Sequence, residues 1–353
     1  MWAGCPHPAK HSAYSFYPLW LRLRVKRRSG DLKDVPIPTP SGLGPGDPWP
    51  KKWAVAARLP FLTACVMPVL AALAASWRAQ GSLRPWLALL TLVGVALIHA
   101  GFNLANDFFD HLSGADAANR VPTPFSGGSR VIQDGVVSPR AVLVASLVLL
   151  AAGSACGIVL WLATPGHTLL AIGLAGMALG WFYTSPPIRL AHRGLGELAV
   201  GVAFGALPVL GTEWVQRGCL SLEVAWVGLP AGLLVAAILL VNEFPDAESD
   251  AGASKRNLVV RLGRRRAARG YAGGMAAAYL VLLPAVAGGW LPPLAAVVVL
   301  VAPLSWKATR VLRAHHSDVR ALLPAMAATI AQQAIFLLLL AGACLADFAL
   351  HAW

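Results

Sequence analysis

Apolar runs long enough to cross a lipid bilayer dominate this chain. From Trp53 onward about nine such runs follow one another, each near the roughly 20 residues that a helix needs to cross a hydrocarbon core about 30 Å thick. They cover residues 54–76, 86–106, 139–162, 167–186, 195–213, 222–243, 268–288, 290–306 and 321–345. The bilayer core offers no water, so the backbone of these runs must satisfy its own hydrogen bonds as α-helix. We therefore expect an all-α, polytopic membrane protein of about nine transmembrane helices.

The composition excludes a soluble globular protein. Of the 353 residues, 57% are hydrophobic and 13% are charged, against roughly 25% charged residues in soluble domains. A net charge of +13 could suggest a nucleic-acid partner. The Lys and Arg residues are, however, confined to short gaps between apolar runs, which is typical of membrane topology signals. We expect membrane lipid around the protein and no nucleic acid bound to it.

The basic residues also predict an orientation. If the gaps alternate between the two membrane faces, one face receives nearly all the Lys and Arg, and the other receives only Arg78, Arg84 and Arg217. The positive-inside rule makes the basic face cytoplasmic, with the N-terminus inside. This predicts a multi-pass protein of the cell inner membrane. Residues 1–52 form a basic, Pro/Gly-rich stretch, predicted to be a disordered tail before a membrane domain of residues 53–353.

Seven of the sixteen acidic residues gather in two short windows at predicted cytoplasmic helix ends. The windows hold Asp107, Asp110 and Asp116, and then Glu243, Asp246, Glu248 and Asp250. One ionisable group at a helix centre costs about 2.5–3.5 kcal/mol on insertion scales, and less at the interface. Several like charges packed together there need a counter-ion, so solvated helix caps explain the clustering poorly.

The two acidic windows resemble each other. Each has Asn-x-x-x-Asp followed by a second Asp three or four residues later, in Asn103–Asp110 and in Asn242–Asp250. Those intervals put the carboxylates on one helical face. Four predicted spans separate the windows, and an even number returns both to the same side. We interpret them as a faint internal repeat whose halves face each other across a central cavity open to the cytoplasmic side.

Facing carboxylate clusters are suited to hard divalent cations. Mg²⁺ in particular takes oxygen ligands and bridges protein carboxylates to a diphosphate. Three cations lie near the two windows in the sequence and could contact phosphate oxygens, namely Arg130, Lys255 and Arg256. The windows therefore predict a Mg²⁺-assisted diphosphate site.

At these residues the sequence resembles the UbiA superfamily of intramembrane aromatic prenyltransferases. Within it, the chain is most similar to the menaquinone-branch enzymes that prenylate 1,4-dihydroxy-2-naphthoate. The resemblance runs from about Trp53 to the end of the chain. Its matching segments are Asn103–Asp110 with Asp116, Phe182–Pro187, Gly194–Glu197 through Gly205, Gly211-Thr212, Asp246–Asp250 and Lys255–Gly263.

The resemblance implies a mechanism and a set of site residues. The metal ligands would be Asp107, Asp110, Asp116, Asp246 and Asp250, of which Asp116 would bind the metal or order its loop. Mg²⁺ held there would neutralise the diphosphate of a polyprenyl donor and make it a leaving group. An electron-rich aromatic acceptor would attack the resulting allylic cation, which the Tyr183 ring would shield. The expected substrate-binding residues are Asn103, Asn106, Arg130, Asn242, Lys255 and Arg256.

Two alternatives stay open at this point. The second motif reads Asn242-Glu-Phe-Pro-Asp246, where menaquinone-branch enzymes usually carry Asn-Asn-x-Arg-Asp. A UbiA-type enzyme acting on another acceptor, such as hydroxybenzoate, homogentisate, haem or a lipid, therefore competes with the naphthoate reading. A non-enzyme alternative is an ion-coupled secondary transporter, which would bury its acids at mid-membrane on broken helices.

Overall fold

The structure is a computed structural model that describes residues 41–44, 46–119 and 121–351. All of them belong to one compact unit, Ile37–Trp353. Most of the predicted tail of residues 1–52 lies outside the described residues, so its disorder stays a prediction. The described end of that stretch includes the start of a short helix, Trp49–Ala56, which precedes the first membrane helix.

Nine apolar helices form the membrane bundle in the described part of the chain. Eight are long and apolar enough to cross a membrane, and α4 is a shorter apolar helix. They are α1 (Leu59–Gln80), α2 (Pro85–Ser113), α3 (Pro139–Leu162), α4 (Thr168–Thr184), α5 (Gly196–Arg217), α6 (Leu222–Gly252), α7 (Arg264–Ala287), α8 (Pro293–His315) and α9 (Val319–His351). Each coincides with one predicted span, which confirms the all-α polytopic fold. The first part of α8, Pro293–Val301, is a 3₁₀ helix.

Helices α2 and α3 form a close-packed hairpin. Gly94 and Gly101 of α2 face α3, where a Cβ on Gly101 would lie 2.8 Å from Leu150. The Ser146 hydroxyl of α3 donates a hydrogen bond to the Gly101 carbonyl at 2.8 Å. Small residues allow helix backbones to approach closely inside a membrane, where lipid supplies no hydrophobic drive for association. This contact fixes the helix that carries the first acidic window.

A second close contact joins α5 to α6. A Cβ on Gly205 would lie 2.5 Å from the Gly232 Cα, and one on Gly201 would lie 2.7 Å from the Gly232 carbonyl oxygen. The segment Gly201–Ala206 forms a π-helical turn at this crossing. Glycine is therefore required where the two backbones touch. The contact fixes α6, which carries the second acidic window.

The acids of the two windows, except Asp116, lie in the last turns of two unusually long helices. Helix α2 has 29 residues and α6 has 31, which corresponds to about 43 and 46 Å at a rise of 1.5 Å per residue. Both exceed a hydrocarbon core about 30 Å thick. The long helices thus place both windows at the same end of the bundle.

Candidate active site

The two acidic windows line one cavity at this end of the bundle. Helices α2 and α6 and the loops after them contribute the acidic part of the wall, and α1, α4 and α5 contribute further residues. Nine of the residues predicted from the sequence line this cavity, namely Asn103, Asn106, Asp110, Asp116, Tyr183, Asn242, Asp246, Asp250 and Lys255. The predicted internal repeat therefore corresponds to two motifs that face each other across a shared space.

Lys255 connects the two motifs. Its ammonium nitrogen lies 3.1 Å from Asp110 Oδ2 on α2 and 3.7 Å from Asp250 Oδ1 on α6. Burial alone lowers the pKa of Lys255, but the carboxylates of Asp110 and Asp250 outweigh it and hold the pKa well above its ordinary value. Lys255 is therefore a permanent cation inside the cavity.

Amide side chains fix these two carboxylates further. Asn106 donates to Asp110 Oδ2 at 3.2 Å, and Asn257 donates to Asp250 Oδ2 at 2.8 Å. Asn257 also caps the short helix Leu258–Leu262 by accepting from the Val260 N–H at 2.9 Å. Asn257 thereby links the loop that carries Lys255 to Asp250, which is one of the two carboxylates that Lys255 contacts.

Asp246 is bound by the loop that follows the first acidic window. The Asn119 amide donates to its Oδ1 at 2.8 Å, and the Gly127 N–H donates to its Oδ2 at 2.9 Å. Gly127 and Gly128 adopt φ values of 78° and 77°, which favour glycine. A Cβ on Gly128 would lie 2.6 Å from Asp116 Oδ2. The Gly-Gly pair thus allows the loop to lie directly on both acids.

Asp116 lies in the short helix Ala115–Ala118, just after α2. Burial, followed by the charges of Asp110 and Asp107, raises the pKa of Asp116 well above its ordinary value. The Gln133 amide donates to its Oδ2 at 3.4 Å. A cation entering the cavity would relieve the repulsion among these three acids.

Three predicted site residues do not line the cavity. Asp107 is buried behind the wall and accepts hydrogen bonds from Arg58 and from the Ser129 hydroxyl and N–H. Arg130 donates to the Asp116 carbonyl at 2.6 Å, so it supports the loop. Arg256 is exposed. The metal-binding and substrate-binding roles of these three residues stay predictions, as do those of the nine that line the cavity.

The geometry adds residues to which sequence reasoning gave no role in the site. Arg58 lines the cavity just before α1, pairs with Asp107 and lies 3.5 Å from the Asn106 amide oxygen. In the sequence it is indistinguishable from any basic residue at a membrane boundary. Asn119 also had no role predicted from the sequence, and its place in the site follows only from its hydrogen bond to Asp246. Glu243 also lines the cavity, although the sequence suggested no task for it.

The oxygen donors of the cavity fit Mg²⁺. Asp110 Oδ1 and Asn242 Oδ1 are buried without a hydrogen-bond partner, and both residues line the cavity. Oxygen-only donor sets of this type suit hard cations. In the described part of the chain, no three His, Cys, Asp or Glu side chains are already gathered around one point. Asp110, Asp116, Asp246 and Asp250 are the cavity-lining acids that would hold the ion.

A second cavity adjoins the first. It lies among α2, α3, α4 and α5 and is lined almost entirely by apolar side chains. Phe102, Ala203 and Phe204 line both cavities. A molecule with a charged head and a long hydrocarbon chain could therefore place each part in a matching environment.

A carboxylate-rich cavity that contains a lysine thus adjoins an apolar cavity inside a bundle of helices of membrane-spanning length. Comparison with known proteins gives the family. Residues 65–331 match the model of the UbiA prenyltransferase family, and the chain belongs to this family. The protein is accordingly a prenyltransferase, which sets aside the transporter alternative.

Individual relatives agree with this assignment. The chain is 36% identical over 299 residues to "1,4-dihydroxy-2-naphthoate octaprenyltransferase" of Mycobacterium tuberculosis, covering 83% of this chain and 96% of that protein. It is 29% identical over 215 residues to "2-carboxy-1,4-naphthoquinone phytyltransferase" of Synechocystis, covering 61% of this chain and 67% of that protein. Both names confirm the predicted similarity to the naphthoate-prenylating branch.

Solved structures share the fold. A UbiA homologue from Archaeoglobus fulgidus, described as bound to GPP and Mg²⁺, superposes with a TM-score of 0.59 at 16% identity and covers 83% of this chain and 99% of that one. A UbiA homologue from Aeropyrum pernix gives a TM-score of 0.58 at 19% identity, with coverage of 81% and 97%. At these identities the likeness concerns the helical architecture.

Proposed function

We propose that this protein transfers a polyprenyl group from a polyprenyl diphosphate to 1,4-dihydroxy-2-naphthoate, with Mg²⁺, in menaquinone biosynthesis. The observation that carries the proposal is Lys255 between Asp110 and Asp250, in a polar cavity that continues into an apolar one. The names of the relatives support the choice of acceptor. The distribution of Lys and Arg, through the positive-inside rule, supports a cytoplasmic position for this cavity.

The diphosphate of the donor would lie between the two acidic motifs. Mg²⁺, when bound, supplies the charge neutralisation that makes diphosphate a leaving group. The Lys255 ammonium turns from the carboxylates to the phosphate oxygens and keeps a charge-assisted hydrogen bond throughout. Asn106 and Asn257 hold Asp110 and Asp250 in place during this exchange.

The polyprenyl chain would occupy the apolar cavity, where its burial stabilises the bound donor. The first isoprene unit would then lie near Phe102, Ala203 and Phe204, where the two cavities meet. Tyr183 lines the polar cavity, and its ring can face the allylic cation left when diphosphate departs. An apolar, water-poor passage also protects that cation from hydrolysis.

A purified-protein assay tests the proposal. Labelled geranylgeranyl diphosphate is incubated with 1,4-dihydroxy-2-naphthoate, hydroxybenzoate or homogentisate, in Mg²⁺ or in EDTA. We expect a prenylated naphthalene product that is lost in EDTA. Transfer only to another acceptor would refute the naphthoate assignment, and undiminished transfer in EDTA would refute the metal requirement.

Two neighbouring acids of α6 give a matched pair of variants. Asp250→Asn removes a cavity carboxylate that contacts Lys255, and we expect it to reduce transfer by about 100-fold or more. Glu248→Gln changes an acid whose side chain is 85% exposed and paired with Arg264 outside the cavity. We expect that variant to retain nearly full activity. Equal losses in both variants would contradict the proposed location of the site.

A further inference from the structure

A pair of buried glutamates lies in the wall of the polar cavity, apart from the aspartates of the two motifs. Glu243 of α6 lines the cavity, and Glu197 of α5 stands behind it. Each is 5% exposed. The Glu197 carboxyl acts electrostatically on the Glu243 carboxyl, so the two side chains are neighbours. The two residues are distant in the sequence and are brought together by the packing of α5 on α6.

Hydrogen-bond donors are lacking around this pair. Glu197 Oε1 accepts from the Leu258 N–H at 3.3 Å. Glu197 Oε2 and both oxygens of Glu243 meet no donor among the described residues. Two buried carboxyl groups in contact are stable only when they share a proton, because like charges at that distance cannot both remain ionised. The two carboxyl groups therefore share one proton and can accept a second.

Three of the aspartates that line the cavity, in contrast, have ion-pair or hydrogen-bond partners. Asp110 and Asp250 contact Lys255, and Asp246 accepts from Asn119 and Gly127. Glu243 has no such partner, although it lies one helical turn before Asp246, on the side of the membrane interior. A Cβ on Gly196 would lie 3.1 Å from the Tyr183 ring, so the turn that carries Glu197 packs against that ring. The glutamate pair thus borders the part of the cavity in which the prenyl cation would form.

We propose, on the basis of the function proposed above, that Glu243 binds the acceptor hydroxyl next to the carboxylate-bearing ring carbon and accepts its proton. Glu197 is the positioning residue that holds Glu243 through their shared proton. The proposal explains why a carboxyl group, which can take a proton, stands where related enzymes usually carry Asn.

The proposed reaction balances in protons and electrons with Glu243 as its only base. The acceptor O–H bond breaks, and its proton goes to the Glu243 carboxyl. The ring carbon that bears the carboxylate forms a bond to C1 of the prenyl group, while the C–O bond to diphosphate breaks and its electron pair leaves with diphosphate. The ring then loses CO₂, and the electron pair of that bond restores aromaticity. The proton returns from Glu243 to the product oxygen.

Methyl ethers of the acceptor test this role directly. The wild type and the Glu243→Gln variant are each assayed with geranylgeranyl diphosphate and 1,4-dihydroxy-2-naphthoate, its 1-methoxy analogue or its 4-methoxy analogue. The 1-hydroxyl is adjacent to the carboxylate-bearing carbon, whereas the 4-hydroxyl is not. We expect Glu243→Gln to lower kcat by about 100-fold with the two acceptors that have a free 1-hydroxyl. With the 1-methoxy analogue, wild type and variant should be equally slow.

Further variants separate a chemical role from a structural one. Glu243→Asp keeps a carboxyl group and should recover part of the lost rate. Glu197→Gln should reduce the preference for a free 1-hydroxyl and leave the rate with the 1-methoxy analogue unchanged. Donor affinity, measured by fluorescence quenching with geranylgeranyl diphosphate, should be the same in all variants.

The outcomes distinguish this inference from the function on which it rests. If the wild type transfers nothing to the naphthoate, the proposed function fails and the inference falls with it. If the wild type transfers normally but Glu243→Gln slows all three acceptors equally, or slows none of them, only the inference is overturned. A loss confined to the acceptors with a free 1-hydroxyl would establish it.

Discussion

Removal of the Lys255 charge should destabilise the protein in a way that Mg²⁺ partly reverses. Lys255, Asp110 and Asp250 have side-chain exposures of 12%, 7% and 6%. Loss of one partner from a buried ion pair typically costs about 3–5 kcal/mol, because it leaves an uncompensated buried charge. Asn106 and Asn257 still donate to the two carboxylates, so we expect Lys255→Met to lose about 3 kcal/mol, the lower end of that range.

Equilibrium unfolding in detergent micelles, followed by circular dichroism, measures this effect. The full deficit should appear in EDTA and should shrink in Mg²⁺, since a divalent cation can bind the carboxylates that Lys255 releases. Arg265→Met is the control, because Arg265 is exposed and lies outside the cavity. We expect its free energy of unfolding to stay within about 0.5 kcal/mol of the wild type. A Lys255→Met protein as stable in EDTA as the wild type would refute the reasoning.

Three further variants test the loop, the junction of the cavities and the helix contact. Gly128→Ala combines a φ of 77° with a Cβ 2.6 Å from a carboxylate, so its kcat/KM should fall by about tenfold or more, roughly the effect of 1.4 kcal/mol at the transition state. Gly135→Ala, with a φ of 67° and open space around it, should change kcat/KM much less. Ala203→Phe should slow transfer from octaprenyl diphosphate more than from dimethylallyl diphosphate, and equal slowing would argue against a chain passing there. Gly205→Val should lower the free energy of unfolding by about 1–3 kcal/mol. Gly342→Ala, in open space inside α9, should not lower it, because Ala is the better helix former.

The helices and the approximate site could be predicted from the sequence because both depend on local signals. A span of about 20 apolar residues can only be helical in lipid, whatever surrounds it. The two Asn-x-x-x-Asp windows and their even spacing in spans also predicted one shared cavity. The two helices are longer than predicted: α2 extends to Ser113 and α6 to Gly252, so they carry all the acids of the two windows except Asp116.

The pairing of individual side chains could not be predicted in the same way. Asp107 and Asp110 were expected on one helical face, yet three residues of a helix turn through about 300°, which leaves them about 60° apart. That angle lets Asp110 line the cavity while Asp107 faces Arg58 and Ser129. Such contacts depend on the packing of distant segments, and no local pattern encodes them.

The contact between Glu197 and Glu243 has the same origin. Glu197 was visible in the sequence as an acid in an apolar run, and Glu243 as a member of an acidic cluster. Their apposition depends on the close approach of α5 to α6 at Gly205 and Gly232. The sequence alone does not show that α5 and α6 cross there, so it does not predict that the two residues are neighbours.

The length of α2 and α6 has a kinetic consequence. The acidic motifs lie about 33–42 Å along these helices, which is farther than the thickness of a hydrocarbon core. On the function proposed above, a donor dissolved in the bilayer can therefore present its diphosphate at the level of the polar cavity before its chain enters the apolar cavity. The donor then reaches the enzyme by diffusion in two dimensions. The reaction rate should follow the mole fraction of donor in the bilayer, so that adding inert phospholipid at constant bulk donor concentration slows the enzyme by surface dilution.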